Sequence, residues 1–425
     1  MNEPVFVETP VEPTSVHPLV SCRLVGARVA IDADATVKAD VEVCRGRITA
    51  IKTTGLSASN GSSIRPAQSQ PTIDLSGYLL LPGLINVHDH LEFNLFPRLG
   101  QGPYLNFEDW ARDVYHPLES PVREQLLVPK PVRLWWGTIK NLLSGVTTVC
   151  HHNAAIPRAL VRRFPIRVMN RYGWAHSLAF GEDIRKAFRS TPPGRPFIIH
   201  LAEGTDERSR EEIFRLDHLK ALRANTVVVH GVGLDKVGQQ LLAKRGSGLI
   251  WCPTSNIFTL GKTLDAREIE QHKNVALGSD SALTGKGDLL DEIRYAHDEA
   301  RLDPERIYSL VTESAARVLQ LIKGEGTIRL GGIADFLAVS DTGDRPCSRL
   351  TQMTTRDLEA LIVGGKPKLL SPTAAGRWPS TGLDKFEVIR VGNIERLIHA
   401  PLQKLLQTTR MHLGEEVFLA GKRVS

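Results

Sequence analysis

Cysteine is scarce. Five thiols in 425 residues form an odd and sparse set, which excludes a disulfide framework and suits a reducing cytoplasm. Long apolar runs are missing as well: nothing approaches the ~20 residues that a membrane span needs, and the acidic start of the chain lacks the build of a signal peptide. No membrane partner is expected. Charge is not gathered into blocks either, since 53 Lys and Arg against 47 Asp and Glu leave a net +6 from dispersed residues. Without a long basic run or a stripe of cations interleaved with aromatics, nucleic acid is not an expected partner, and a small molecule is. The positive balance leaves room for a basic pocket and an anionic substrate.

What the chain does have is a set of apolar strands that end in polar residues. The run from Leu79 to His90 carries a Pro82-Gly83 break and then Ile85, Asn86, Val87, His88, Asp89 and His90. Side chains alternate along a strand, so His88 and His90 share a face and can converge beyond its carboxyl end, where two neutral imidazoles suggest a metal. Four later segments share this build. Phe197 to Ile199 lead into His200 and Glu203, Thr226 to Val229 into His230, Gly248 to Trp251 into Cys252-Pro253-Thr254-Ser255-Asn256, and Val275 to Leu277 into Gly278-Ser279-Asp280-Ser281. Short aliphatic strands separated by helical segments indicate an α/β fold, a TIM-like (β/α)8 barrel, whose active site lies at the carboxyl ends of its strands.

In this order these motifs, with the Gly145-Val146-Thr147-Thr148 strand, resemble the amidohydrolase superfamily, in its branch of cytosine, guanine and adenosine-type deaminases and triazine chlorohydrolases. The resemblance implies that His88, His90, His200 and Asp280 hold one divalent metal, with zinc favoured and iron accepted by similar ligands. It implies Glu203 as general acid and base, His230 as the group that polarises substrate or steadies the attacking water, and Asp280 as the acceptor of that water's proton. Two-metal members bridge their ions with a modified lysine at a strand end. No lysine here ends an apolar strand before His200, so a mononuclear site is expected. That favours hydrolytic deamination of a cyclic amidine or nitrogen heterocycle; hydrolysis of an amide or cyclic amide bond is the nearest rival, and a non-catalytic barrel used as a binding scaffold is the reading from another class. The His-x-Glu and Pro-Cys-x-x-Cys pattern of the unrelated cytidine-deaminase fold is absent.

Substrate contacts are expected from His152, after the second strand, and from Arg171, Trp174 and His176, after a third strand that begins at Ile166. The aromatic-rich stretch from Glu92 to Glu119 suits a lid. Cys252 reads as structural. Only seven barrel strands can be placed, because the interval from His176 to Phe197 holds just one helix-like stretch, Glu182 to Arg189; the eighth is hidden, very short or missing, and the barrel distorted. Residues 81–324 are assigned to the barrel. Residues 18–80 and 325–425 form a composite β-sandwich domain with a C-terminal extension that includes a helix-like stretch near Ile394 to Thr408, and residues 1–17 a mobile arm. A homodimer is compatible with this reading.

Overall fold

A computed structural model describes residues 21–53 and 70–425, so the expected arm at residues 1–17 lies outside the described residues. Eight parallel strands organise the centre: β1 (Leu84–Asp89), β2 (Val146–His151), β3 (Arg167–Met169), β4 (Gly173–Trp174), β5 (Phe197–Leu201), β6 (Thr226–His230), β7 (Gly248–Trp251) and β8 (Val275–Leu277). They pair as two arcs, β1-β2-β3 and β8-β7-β6-β5-β4. The sequence suggested one third strand from Ile166 onward. Instead that segment splits: β3 pairs with β2, and after residues 170–172 β4 pairs with β5. No helix separates β3 from β4, so one β/α step is compressed into a bend, and the strand that the sequence left hidden is only two residues long. At the other seam the contact is local, with Ser279 N and Asp280 N both donating to His88 O at 3.1 Å.

Strand alternation divides the apolar residues as a parallel wall requires. Ile85, Val87, Ile198, Val227, Val229, Ile250 and Ala276 pack together as one buried cluster. Their neighbours Ile199, Val228, Leu249, Trp251 and Leu277 face the other way, into the core shared with the helices. Two glycines permit close approaches beside the site. A Cβ on Gly278 would meet His88 Cβ at 2.7 Å, so only glycine lets the end of β8 pass the histidine strand. A Cβ on Gly137 would meet Leu91 O at 2.2 Å, so glycine lets helix Lys130–Leu142 press onto the turn after His90.

Strands from both ends of the chain join one twelve-stranded mixed sheet, in which Phe336–Ser340 lies antiparallel to Tyr78–Pro82. One face of that sheet, with Leu79, Leu81, Leu337 and Val339, closes onto the central core. The opposite face, with Leu80, Phe336 and Ala338, builds a core of its own with Leu24, Val29 and Val41. The helix-like reading of Ile394 onward needs correction: Ile394–Ile398 is a strand paired with Glu387–Val391, and the helix begins at Leu402 and runs to Leu413. Alternate burial of Arg396 and Ile398 against the neighbouring strand outweighed the helical propensity of Glu, Arg and Leu. None of the five cysteines is in a disulfide. Among the described residues no helix is long and apolar enough to cross a membrane.

Candidate metal centre

The strand ends bring six histidines together. His88, His90, His152, His200 and His230 are buried, and the ring of His176 lies 4.8 Å from that of His200. His88 Nε2 is 3.3 Å from His200 Nε2, and Asp280 Oδ1 is 3.8 Å from His88 Nε2 and 3.7 Å from His90 Nε2. Ligands at 2.0–2.1 Å around one tetrahedral ion stand about 3.3 Å apart, so these separations suit donors that share a centre. Potential ligand atoms of His88, His90 and Asp280 lie within 4.8 Å of one another, and so do those of His88, His200 and His230. The donor set fits a divalent metal. His230, given a polarising role by the resemblance, therefore stands as close to the centre as the expected ligands.

Supporting bonds decide which nitrogen faces inward. His200 Nδ1 is 2.9 Å from the His176 carbonyl oxygen, which only accepts, so Nδ1 carries the proton and the Nε2 lone pair points at the cluster. In the same way His230 Nδ1 donates to Asn256 Oδ1 at 2.7 Å and leaves Nε2 bare, 3.5 Å from Glu203 Oε1. Burial pushes His88 and His200 well below the usual imidazole range, and burial also lowers His230, so these rings are neutral donors. Asp280 Oδ2 accepts from Ser255 at 2.7 Å and from Thr284 at 3.1 Å, while Oδ1 accepts from Ser281 N at 2.8 Å. Burial alone would raise its carboxyl, but His90, His230 and these hydrogen bonds outweigh burial and hold it below the ordinary value.

Glu203 is the opposite case. Burial, then the charges of Asp280 and Glu212, push its carboxyl well above the ordinary value, which favours its protonated form. Glu212 is itself pushed up to about 7 by burial, and its Oε2 accepts from Ala202 N at 2.7 Å beneath the Glu203 loop. Ala202, His230 and Asp280 have φ of 53°, 73° and 51°. Non-glycine residues rarely hold this left-handed backbone, and three of them at the ends of neighbouring strands mark a site whose geometry the surroundings enforce.

A polar layer behind the cluster escaped sequence reasoning. Lys140, buried on the helix Lys130–Leu142, places Nζ 2.9 Å from Asp89 Oδ2 and 3.1 Å from both Ser279 Oγ and Asp280 O. Asn86 Nδ2 donates to Asn141 and Ser279 at 2.8 Å, which ties β1 to the Asp280 loop. A lone lysine in an amphipathic helix carries no signal of this. Asn256 sat in a recognised run, yet its bond to His230 is a tertiary fact.

Of the expected substrate residues, His152 stacks on His200 at 4.4 Å between ring centroids, and its Nε2 is 3.2 Å from Ala175 O. Trp174 lies 5.7 Å from His152. Arg171 does not enter the histidine cluster: it is exposed outside it, past the carboxyl end of β3 and one residue before Tyr172, whose hydroxyl donates to His151 O at 2.6 Å. From the stretch expected to form a lid, helix Phe107–Val114 starts directly over the site, with Phe107 N donating to Glu203 O at 3.0 Å. Phe107 and Phe180 pack with His176, and Phe180 remains 57% exposed at the mouth. Cys252 is fully buried and burial pushes its thiol well up, which leaves no nucleophile there.

Comparison with known proteins agrees with this geometry. Residues 175–368 match the amidohydrolase family. The chain is 26% identical to a 5-methylthioadenosine/S-adenosylhomocysteine deaminase of Syntrophobacter fumaroxidans, covering 63% of this chain and 73% of that protein. A like-named deaminase of Thermococcus sibiricus is 24% identical, over 70% of this chain and 84% of its own length. Among solved structures, a zinc-bound adenosine deaminase from Xanthomonas campestris superposes with a TM-score of 0.66 at 18% identity, covering 92% of this chain and 97% of that one. A zinc complex of an atrazine chlorohydrolase from Arthrobacter aurescens gives 0.68 at 16% identity, covering 92% and 99%.

Proposed function

We propose that this chain, which belongs to the amidohydrolase family, is a metal-dependent hydrolase of carbon–nitrogen bonds that deaminates a nitrogen heterocycle. The observation that carries the reading is the Glu203 carboxyl 3.5 Å from His230 Nε2, raised by burial so that its protonated form is favoured, beside a cluster of histidines and Asp280. We read the two strand arcs as one distorted barrel over residues 81–324, with the terminal segments 18–80 and 325–425 as a companion β-sandwich. The five thiols suit a reducing compartment such as the cytoplasm.

His88, His90, His200 and Asp280 are the residues we assign to a single ion, zinc by preference, since three imidazoles and a carboxylate suit it. When bound, such an ion lowers the pKa of water from about 15.7 toward about 7 and polarises the reacting carbon. Asp280 accepts the proton of the attacking water; Ser255 and Thr284 hold its other oxygen and so aim it. Glu203 donates its proton to the ring nitrogen next to the reacting carbon, and the amino group then leaves as ammonia after protonation. His230, oriented by Asn256, steadies the water beside Glu203. Phe107 and Phe180 exclude water from the mouth and present faces to a planar ring.

Elemental mass spectrometry on chelator-free protein, together with ammonia release from a panel of heterocycles, tests this. About one zinc or iron per chain, lost in Asp280→Ala, with ammonia released, is the expected result. Two metals per chain would point to amide hydrolysis, and no metal after reloading to a binding scaffold.

A further inference from the structure

The expectation of dispersed charge needs correction at one place, the compressed stretch between β2 and β5. Residues 158–195 contain nine Lys and Arg against two carboxylates, a net +7, whereas the entire chain carries +6. Arg167 pairs with Asp335. The other eight, Arg158, Arg162, Arg163, Arg171, Arg185, Lys186, Arg189 and Arg195, are all exposed, and none forms an ion pair among the described residues. Neither carboxylate compensates: Glu182 accepts from His176 N at 2.7 Å, and Asp183 caps the helix Ile184–Arg189 by accepting from Lys186 N at 3.0 Å.

Three of these arginines stand on segments that leave the carboxyl ends of the strands, the end that carries the metal centre. Arg158 begins the short helix that follows His152. Arg171 precedes Tyr172 and β4, and Arg185 lies three residues past Glu182, which holds the backbone of His176. Hydrogen bonds lace these segments together, with Asn170 Nδ2 donating to Ile156 O at 3.0 Å and Tyr172 Oη to His151 O at 2.6 Å.

We propose that the substrate is a phosphorylated heterocycle, whose ring enters the histidine pocket while its phosphate is met at the rim by Arg158, Arg171 and Arg185. This rests on the deamination reading above. Guanidinium groups match phosphate oxygens in bidentate geometry, which explains why seven of the eight unpaired cations are arginine. The rest of the basic flank supplies the field that draws such a dianion to the mouth.

The test compares a purine nucleoside with its 5′-monophosphate on the metal-loaded protein, by ammonia release and by calorimetric binding, in wild type and in Arg158→Glu/Arg185→Glu. The expected result is at least tenfold preference for the monophosphate, in kcat/KM and in affinity, that falls at least tenfold in the variant and shrinks as ionic strength rises. Arg410→Glu/Arg423→Glu, on the distant C-terminal segment, should leave the preference unchanged. Equal handling of the two compounds, or a preference that survives the variant, overturns the proposal. Tight binding of a single-stranded RNA 20-mer that the variant abolishes, without monophosphate preference, also overturns it and makes the flank a polyanion surface. If neither compound releases ammonia, the deamination reading fails, while the binding comparison still decides the phosphate site.

Discussion

Single residues here act through the proton each is made to hold. Glu203 must be protonated to donate, so Glu203→Gln should keep its metal and lose turnover by about 10²- to 10⁴-fold, read as kcat beside metal content. Asn256→Ala frees His230 to adopt the other tautomer. A loss of about 10- to 100-fold in kcat with metal retained is expected, since outer partners of site histidines carry effects of that size. Glu212 gives a stability signature whose sign follows from its raised carboxyl. The folded state holds that proton up to about pH 7, whereas an unfolded chain releases it near the ordinary glutamate value of 4.5. Stability therefore falls as pH rises between these values. Glu212→Gln should match wild type in melting temperature below pH 4.5 and exceed it increasingly up to about pH 7, with a constant gap beyond.

Among the elements, β1, β8 and the helix Lys130–Leu142 form the unit that holds His88, His90 and Asp280, the proposed ligands, in register. A methyl group on Gly278 has no room beside His88, so Gly278→Ala should cost about 1–3 kcal/mol and reduce metal occupancy, as measured by denaturant unfolding and elemental analysis. Lys140→Met leaves the buried Asp89 carboxylate without its cation, which costs about 3–5 kcal/mol. Adding Asp89→Asn to it should recover much of that loss, because the uncompensated charge goes; no recovery would mean that the bonds to Ser279 and Asp280 dominate. None of this was legible from the chain, because Lys140 and Asp89 are 51 positions apart and meet only through tertiary packing. The strands themselves were legible, their aliphatic runs being long enough to show. β3 was read as a third strand from Ile166, but β4 was not, since two residues leave no periodicity to read.

For the whole molecule, drawing the proposed ligands from the ends of β1, β5 and β8 would couple metal binding to folding. Removing the ion with a chelator should lower the melting temperature, and restoring it to about 1,000 times its dissociation constant should return about 4 kcal/mol, checked by thermal unfolding against metal concentration. The sequence by itself determined the parallel strands and the order of His88, His90, His200, Glu203, His230 and Asp280, because these depend on local hydrophobic patterning and on residue types at strand ends. Tertiary structure alone decided the rest: the tautomers of His200 and His230, the opposite shifts of the Glu203 and Asp280 carboxyls, the bend that replaces a β/α step, and the exposure of the arginines that follow β2, β3 and β4. Those depend on burial and on distances between residues remote in the chain, and a one-dimensional pattern carries neither.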